Sequence, residues 1–311
     1  MKKIGYVFSD IFLKHKLPHW HPESADRLEA INKTLREADL LSKLTMISPR
    51  PAEEEELMLV HTKAHIEKIK TFGPGYIDQD TYISEGSHEA ALHAAGAVIR
   101  AVEMCAEGSI HGAFCAVRPP GHHAESDRAM GFCLFNNIAI AARCGQTMGF
   151  KKIFITDFDV HHGNGTQHTF QDDDSVFYFS THQNPFYPGT GQHNESGTGK
   201  GRGFTMNLPL EAGVGDDDFI RIYNQILPAA VKDFNPDLIL VSAGYDLHMN
   251  DPLARMNVSD AGIKGIIKGI LSAAWSSNNT PVVFTLEGGY NLHHLAQSVK
   301  ITIESMLNFP D

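Results

Sequence analysis

The sequence predicts an α/β fold: one domain with a mainly parallel sheet and helices on both faces. Short apolar runs of strand length alternate with longer segments whose apolar residues recur every three or four positions, and polar clusters follow the apolar runs directly. Ile4 to Phe8 reads as a first strand, and 24–40 as a first helix with Ser24 as its N-cap. A helix over 87–106, with Ser87 as N-cap, precedes a strand from Ala113 to Val117, and 134–148 carries the next helical spacing. Ile153 to Ile155 and Val176 to Phe179 read as strands. A helix over 217–234 then leads to a strand from Leu238 to Val241, a helix over 260–275, a strand from Val282 to Leu286 and a last helix over 292–307. Such alternation implies right-handed crossovers, and sites in such sheets form beyond the carboxyl ends of the strands.

Composition sets broad limits. The 311 residues suit one large domain, 1–311, and 42% apolar with 20% charged residues is enough to bury a sizeable core. A net charge of -11 disfavours nucleic acid as a partner, because phosphate contact needs a basic surface. No run approaches the length of a membrane span, and Asp10 interrupts the apolar stretch after Met1-Lys2-Lys3-Ile4, so the start reads as a strand rather than a signal peptide. The expected location is cytoplasmic. Cys105, Cys115, Cys133 and Cys144 form no C-x-x-C pair and read as reduced core thiols.

The polar clusters carry the chemistry. Asp157, Asp159 and His161 alternate directly after an apolar strand, so they converge on one side if the extended conformation persists, and an Asp and a His two apart hold one divalent metal. Catalytic zinc usually takes three protein ligands, and Asp246, just past the strand from Leu238, is the best third. Asp251 competes, but Asn250-Asp251-Pro252 has the look of a turn. An oxygen-rich Asp2His set suits Zn²⁺ and also Fe²⁺ or Mn²⁺. His122 and His123 follow Pro119-Pro120-Gly121, a stiff loop, and imidazole suits proton transfer near neutral pH. The isolated His88, His93, His111, His293 and His294 read as ordinary surface or core histidines. Tyr290, after Gly288-Gly289, either presents its hydroxyl to a developing oxyanion or simply caps the sheet. The Gly-, Asn- and Pro-rich segment from Gln183 to Arg202 reads as a rim or lid.

Together, Arg118-Pro119-Pro120-Gly121-His122-His123, Gly131-Phe132-Cys133-Leu134-Phe135-Asn136-Asn137, Asp157 to Gln167, Ser242-Ala243-Gly244-Tyr245-Asp246 and Glu287-Gly288-Gly289-Tyr290-Asn291 resemble the zinc-dependent histone deacetylase family of the arginase/deacetylase superfamily. His21-Pro22-Glu23 fits too, and the likeness runs in order from about residue 18 to 291. The resemblance implies an arginase-like fold and an amidohydrolase with one Zn²⁺ on Asp159, His161 and Asp246. It implies His123 as general base, His122 as its electrostatic or acid partner, Tyr290 as oxyanion donor and Asp157 as the group that orients His122. It further implies a structural K⁺ at Asp157, Asp159, His161, Ser180 and Thr181, an acyl-lysine channel lined by Gly131 and Phe132, and Asp80 as a rim group gripping substrate backbone.

Within the family, Asn164 stands where one branch carries Asp, which is similar to the class II branch; an amide holds His123 without adding negative charge. Tyr187 falls at a channel-wall position that often carries Phe. Leu253 falls where polyamine deacetylases carry Glu, so acetyl-lysine in protein or peptide is favoured over acetylpolyamines or other small acetylated amines. The competing readings are a small-molecule N-acyl amide deacetylase, a binding protein that recognises acylated amines without cleaving them, and a manganese amidinohydrolase of the same broad fold. Oligomeric state is not legible.

Overall fold

Strands that are buried on both faces need continuous rather than alternating apolar sequence, and the central strands have it. A computed structural model describes residues 2–276 and 279–310. In chain order the strands are β1 (Ile4–Val7), β2 (Thr45–Ile47), β3 (Gly75–Tyr76), β4 (Tyr82–Ile83), β5 (Gly112–Cys115), β6 (Ile153–Asp157), β7 (Val176–Gln183), β8 (Thr205–Leu210), β9 (Leu238–Ala243) and β10 (Val282–Leu286). Every residue of β1, β5, β6, β7, β9 and β10 is buried. Eight of the strands form one sheet in the order β2-β1-β5-β10-β9-β6-β7-β8. All its pairings are parallel, and β3 and β4 make a separate antiparallel ribbon.

The helices are α1 (Asp26–Glu37), α2 (Glu54–Leu57), α3 (Lys63–Thr71), α4 (Ser87–Ala106), α5 (Asn137–Thr147), α6 (Asn164–Phe170), α7 (Asp216–Arg221), α8 (Leu227–Phe234), α9 (Asp260–Trp275) and α10 (Leu292–Leu307). Right-handed crossovers assign their faces. Connections that step towards β8 carry α4, α5 and α6, and connections that step back towards β2 carry α1, α7, α8 and α9 on the opposite face. The packing agrees: α4 lies against α5, while α1, α10 and α9 form a contiguous row with α7 and α8 against α9. No helix among the described residues is long and apolar enough to cross a membrane.

The expected fold class holds, and several details of the sequence reading do not. The residue before α1 is Ala25, already helical at φ -59 and ψ -30, so Ser24 contributes only its backbone carbonyl, to the Arg27 N–H at 3.2 Å. Ser87 lies inside the first turn of α4, where its Oγ accepts the Ser84 N–H and meets His15 Nδ1, each at 2.7 Å. Region 134–148 becomes helical only at Asn137, capped by the Asn136 side chain, and 217–234 divides into α7, a π turn at Ile222–Ile226 and α8. Pro228 has no N–H to return to the turn before it, which suits a widened turn there. β7 runs on to Gln183, so Ser180, Thr181 and His182 belong to the strand rather than to a loop after it.

Candidate active site

The chain passes from β5 to β6 and only later lays β9 and β10 between them, so the adjacent strands β5, β10, β9 and β6 bring four loops to one edge. His122 and His123 come from the first, Gly288 and Tyr290 from the second, Asp246 from the third, and Asp159 and His161 from the fourth.

Asp159, His161 and Asp246 offer ligand atoms that all lie within 4.8 Å of one another. His161 Nδ1 is 3.1 Å from both Asp159 Oδ1 and Asp246 Oδ2. Bonds of about 2.0–2.1 Å in a tetrahedral set place neighbouring ligands roughly 3.3 Å apart, so these separations fit one zinc-sized ion. Asp246 Oδ2 is buried with His161 Nδ1, at 3.1 Å, as its polar neighbour and no hydrogen-bond partner of its own. Burial and the neighbouring Asp159 push the Asp246 carboxyl up to about 7. Two buried carboxylates around an imidazole, one oxygen unpaired, fit a bound cation. The surroundings keep that space open: a Cβ on Gly288 would sit 2.2 Å from Asp246 Oδ2 and 2.6 Å from Asp159 Oδ2.

Asp157 is not in this cluster. The extended conformation ends with it, and the chain bends before Asp159. Asp157 Oδ2 instead meets His122 Nδ1 at 3.0 Å and accepts the Tyr178 hydroxyl at 3.1 Å, while Oδ1 accepts the Asp159 N–H at 3.1 Å. Asp251, the competing ligand, is spent on backbone: it accepts from Tyr290 N–H at 2.7 Å and Leu253 N–H at 2.9 Å.

The two histidines are driven apart electrostatically. Burial disfavours a charge on His122, but Asp157, Asp159 and Glu287 outweigh it and raise the imidazole to about 10. Burial, with His122 and His161 beside it, holds His123 well below its usual value. Their ring centroids are 4.0 Å apart, so a cationic imidazole sits against a neutral one. His123 Nδ1 lies 2.8 Å from Asn164 Oδ1, which as an amide oxygen only accepts; the proton is therefore on Nδ1 and Nε2 carries a lone pair. Asn164 is the first residue of α6.

A cavity of ≈ 250 Å³ is lined by Asp80, Pro120, His122, His123, Gly131, Phe132, His161, Tyr187, Leu253, Gly288 and Tyr290. All five residues expected to touch substrate are on its wall. Gly131 and Phe132 both take positive φ, 56° and 69°, and a Cβ on Gly131 would stand 2.4 Å from His123 Cδ2. The Phe132 N–H is held by Thr81 Oγ1 at 3.1 Å, and Thr81 donates to Asp80 Oδ1 at 3.1 Å, so channel wall and rim acid are tied together. Phe132 and Tyr290 meet edge to face at 5.9 Å; Tyr187 stands against His123 at 5.2 Å, and Phe186 stacks on His161. Burial and Asp246 keep the Tyr290 phenol well above its usual range, so it remains a proton donor. Tyr290 lies on the cavity wall beside Gly288, His123 and His161. The segment after Gln183 supplies Tyr187 to the wall and so forms part of the rim.

Ser180 and Thr181 sit beside Asp157 on β7, with Asp157 registered on Ser180. Ser180 Oγ meets His182 Nδ1 and Thr181 Oγ1 meets the Tyr223 hydroxyl, each at 2.9 Å.

Several supporting residues were given no role in the sequence reading. Glu287 Oε2 accepts the Gly121 and His122 N–H groups at 2.7 and 3.3 Å, and Oε1 accepts Ser242 at 3.0 Å, which fixes the histidine loop to β9 and β10. Fully buried Arg27 donates to Gly289 O at 2.7 Å and Glu287 O at 2.5 Å, with Glu23 between Arg27 and Arg118. A carboxylate directly after an apolar strand and an Arg inside an apolar helix stripe are signals that would have found them. His294, read as ordinary, stacks on His248 at 4.3 Å near Asp260. Here His248 Nε2 meets Asp260 Oδ1 at 3.2 Å, and Asn250 Nδ2 meets His294 Nε2 at 3.0 Å.

The Histone deacetylase domain family profile matches residues 21–306. Histone deacetylase 5 of Arabidopsis thaliana is 39% identical over 98% of this chain and 49% of its own length. A probable deacetylase of Archaeoglobus fulgidus is 38% identical over 93% of this chain and 81% of its own. The crystal structure of the HDA15 HD domain superposes with a TM-score of 0.93 at 37% identity, covering 98% of this chain and 88% of that one. The chain spans about half the length of histone deacetylases 5 and 18 of Arabidopsis thaliana, at 49% and 48%.

Proposed function

The chain belongs to the histone deacetylase family, and from that premise we propose that it hydrolyses the acetamide of N-acetyl-lysine in a protein or peptide, giving the free amine and acetate. The observation that supports this reading is that His123, its Nδ1 bonded to Asn164 Oδ1 so that Nε2 keeps a lone pair, lines a cavity shared with His161 and Tyr290. Asp159, His161 and Asp246 would hold Zn²⁺, with Fe²⁺ the second candidate. When bound, such an ion polarises the acyl carbonyl and acidifies water.

The residues divide the remaining work. His123, neutral and with Nε2 free, takes the proton of the attacking water. His122, kept cationic by Asp157, stabilises the negative charge that develops and stands ready to protonate the departing amine. The Tyr290 hydroxyl donates to the oxyanion. Gly131 and Phe132 flank the aliphatic stem, with Tyr187 opposite, and Asp80 at the rim accepts from substrate backbone N–H groups. K⁺ is proposed at the oxygens around Asp157, Asp159, Ser180 and Thr181 and at the His161 backbone, where it would stiffen the floor of the site. The protein is proposed to act in the cytoplasm.

Leu253 on the rim is 37% exposed and offers no partner to a second ammonium, which favours acetyl-lysine over acetylpolyamine. The test is steady-state hydrolysis of an acetyl-lysine peptide and acetylspermidine, side by side, by protein loaded with one equivalent of Zn²⁺. Peptide turnover abolished by chelator is the expected result. Preference for acetylspermidine would transfer the assignment to small-molecule amides, and binding of both without turnover would leave a recognition protein.

A further inference from the structure

Asn164 has a second partner that the proposed reaction does not use. Its Nδ2 lies 2.5 Å from Glu125 Oε1, 3.2 Å from the His123 carbonyl and 3.5 Å from Met130 Sδ. Glu125 is held in turn by His168 Nδ1, 2.9 Å from Oε1 and 3.1 Å from Oε2. The Glu125 side chain is 13% exposed and that of His168 40%, so the row His123–Asn164–Glu125–His168 runs from the catalytic cavity to the surface. There it opens into a cavity of ≈ 250 Å³ lined also by Leu59, Val60 and Arg143.

A carboxamide has nearly the same shape either way round and opposite hydrogen-bonding character. With Oδ1 towards His123, Nδ1 must donate and Nε2 keeps its lone pair for the cavity. With the amide reversed, Nδ2 would face His123, the proton would move to Nε2, and the base would have no lone pair to offer. An aspartate at 164 would have no such ambiguity. The amide does, and something must choose its orientation. The His123 carbonyl accepts from Nδ2 but is one neutral acceptor at 3.2 Å; Glu125 is an ionised group that can only accept, and it is closer. Although burial works against its charge, the hydrogen bonds from His168 and Asn164 hold the Glu125 carboxyl below its usual value.

We propose that Glu125 is a positioning residue that sets the tautomer of His123 by fixing which way the Asn164 amide faces. His168 is the surface clamp that orients Glu125. This rests on His123 being the base of the proposed hydrolysis.

The test compares Glu125→Met, which removes the acceptor, with Glu125→Gln, which can still turn a carbonyl oxygen to Asn164 Nδ2, and with Asn164→Asp in the Glu125→Met background. In Zn²⁺-loaded protein, ¹⁵N NMR reads the His123 tautomer while turnover of the acetyl-lysine peptide reads kcat and KM. Expected are the Nδ1–H form in the wild type, growth of the Nε2–H form in Glu125→Met with a fall in kcat of roughly tenfold at unchanged KM, near-normal behaviour of Glu125→Gln, and recovery of both readouts on adding Asn164→Asp. An unchanged tautomer in Glu125→Met, or Glu125→Gln as impaired as Glu125→Met, would overturn the proposal. Glu125→Ala serves in place of Glu125→Met if that variant does not fold. The tautomer is read without turnover, so absence of hydrolysis in the wild type would refute the proposed reaction and leave this inference separately decided.

Discussion

Asp251 Oδ2 accepts the backbone N–H of Tyr290 at 2.7 Å, and this bond ties the loop after β9 to the loop after β10. Asp251 Oδ1 simultaneously holds the Leu253 N–H at 2.9 Å. One carboxylate thus sets both Tyr290, the proposed oxyanion donor, and the rim. Asp251→Ala is expected to lower kcat by about 10- to 100-fold through misplacement of Tyr290, with metal content unchanged, since small displacements of a catalytic group are costly. Turnover and elemental analysis on the same sample check this; loss of the metal would instead make Asp251 a ligand.

Asp246→Ala should behave in the opposite way. Removing one of the two buried carboxylates at His161 Nδ1 leaves too few donors for a divalent ion, so metal and activity are expected to disappear together. Retained stoichiometric metal in Asp246→Ala would show that the ion sits elsewhere.

Gly131 is required twice over, by a φ of 56° and by the 2.4 Å that would separate a Cβ at this position from His123 Cδ2. Gly131→Ala is expected to cost about 1–3 kcal/mol of stability and to displace His123, the proposed base, lowering kcat/KM by about 100-fold. Urea unfolding and peptide kinetics together read both effects. A variant with normal kcat/KM would mean that the His123 ring has room to move without consequence.

The sheet and its reactive edge were legible because a strand buried on both faces leaves a run such as Leu238 to Val241, and a polar cluster after such a run is a strong departure from its surroundings. Edge strands leave less. β8 is only partly buried and contains Pro209, and β2 has three residues, so neither stands out from a loop. Asp159, His161 and Asp246 were readable from spacing and strand ends. The positions of Asp80, Gly131, Phe132, Tyr187 and Leu253 came through family resemblance, because a cavity wall is made by distant loops with no local pattern. Glu125 and Arg27 were missed, and Glu287 was quoted in a motif without a role: each acts through a partner far along the chain, and Glu125 in particular looks like any acidic residue in a polar loop.

Stability should fall on mild acidification because buried histidines are folded in neutral. His61 Nε2 accepts the Asn136 N–H at 2.9 Å, so protonating it would break that bond, and His15 is enclosed with Nδ1 2.7 Å from Ser87 Oγ. Burial is the main reason each imidazole is lowered from 6.5 to about 3; His65 adds to it for His61, and Arg118 and His21 outweigh part of the opposing pull of Glu23 on His15. Between those values the unfolded chain binds more protons than the native one, so the stabilisation is complete above 6.5 and is lost as pH falls towards 3. Each histidine then contributes a slope of about 1.4 kcal/mol per pH unit once the unfolded form is protonated. His61→Gln, which keeps an acceptor for Asn136 but does not titrate, should reduce the slope between about pH 6 and 4 by one proton. Urea midpoints for wild type and variant across that range measure it, and because other titrations are common to both proteins, identical slopes would mean that His61 is already charged in the native state.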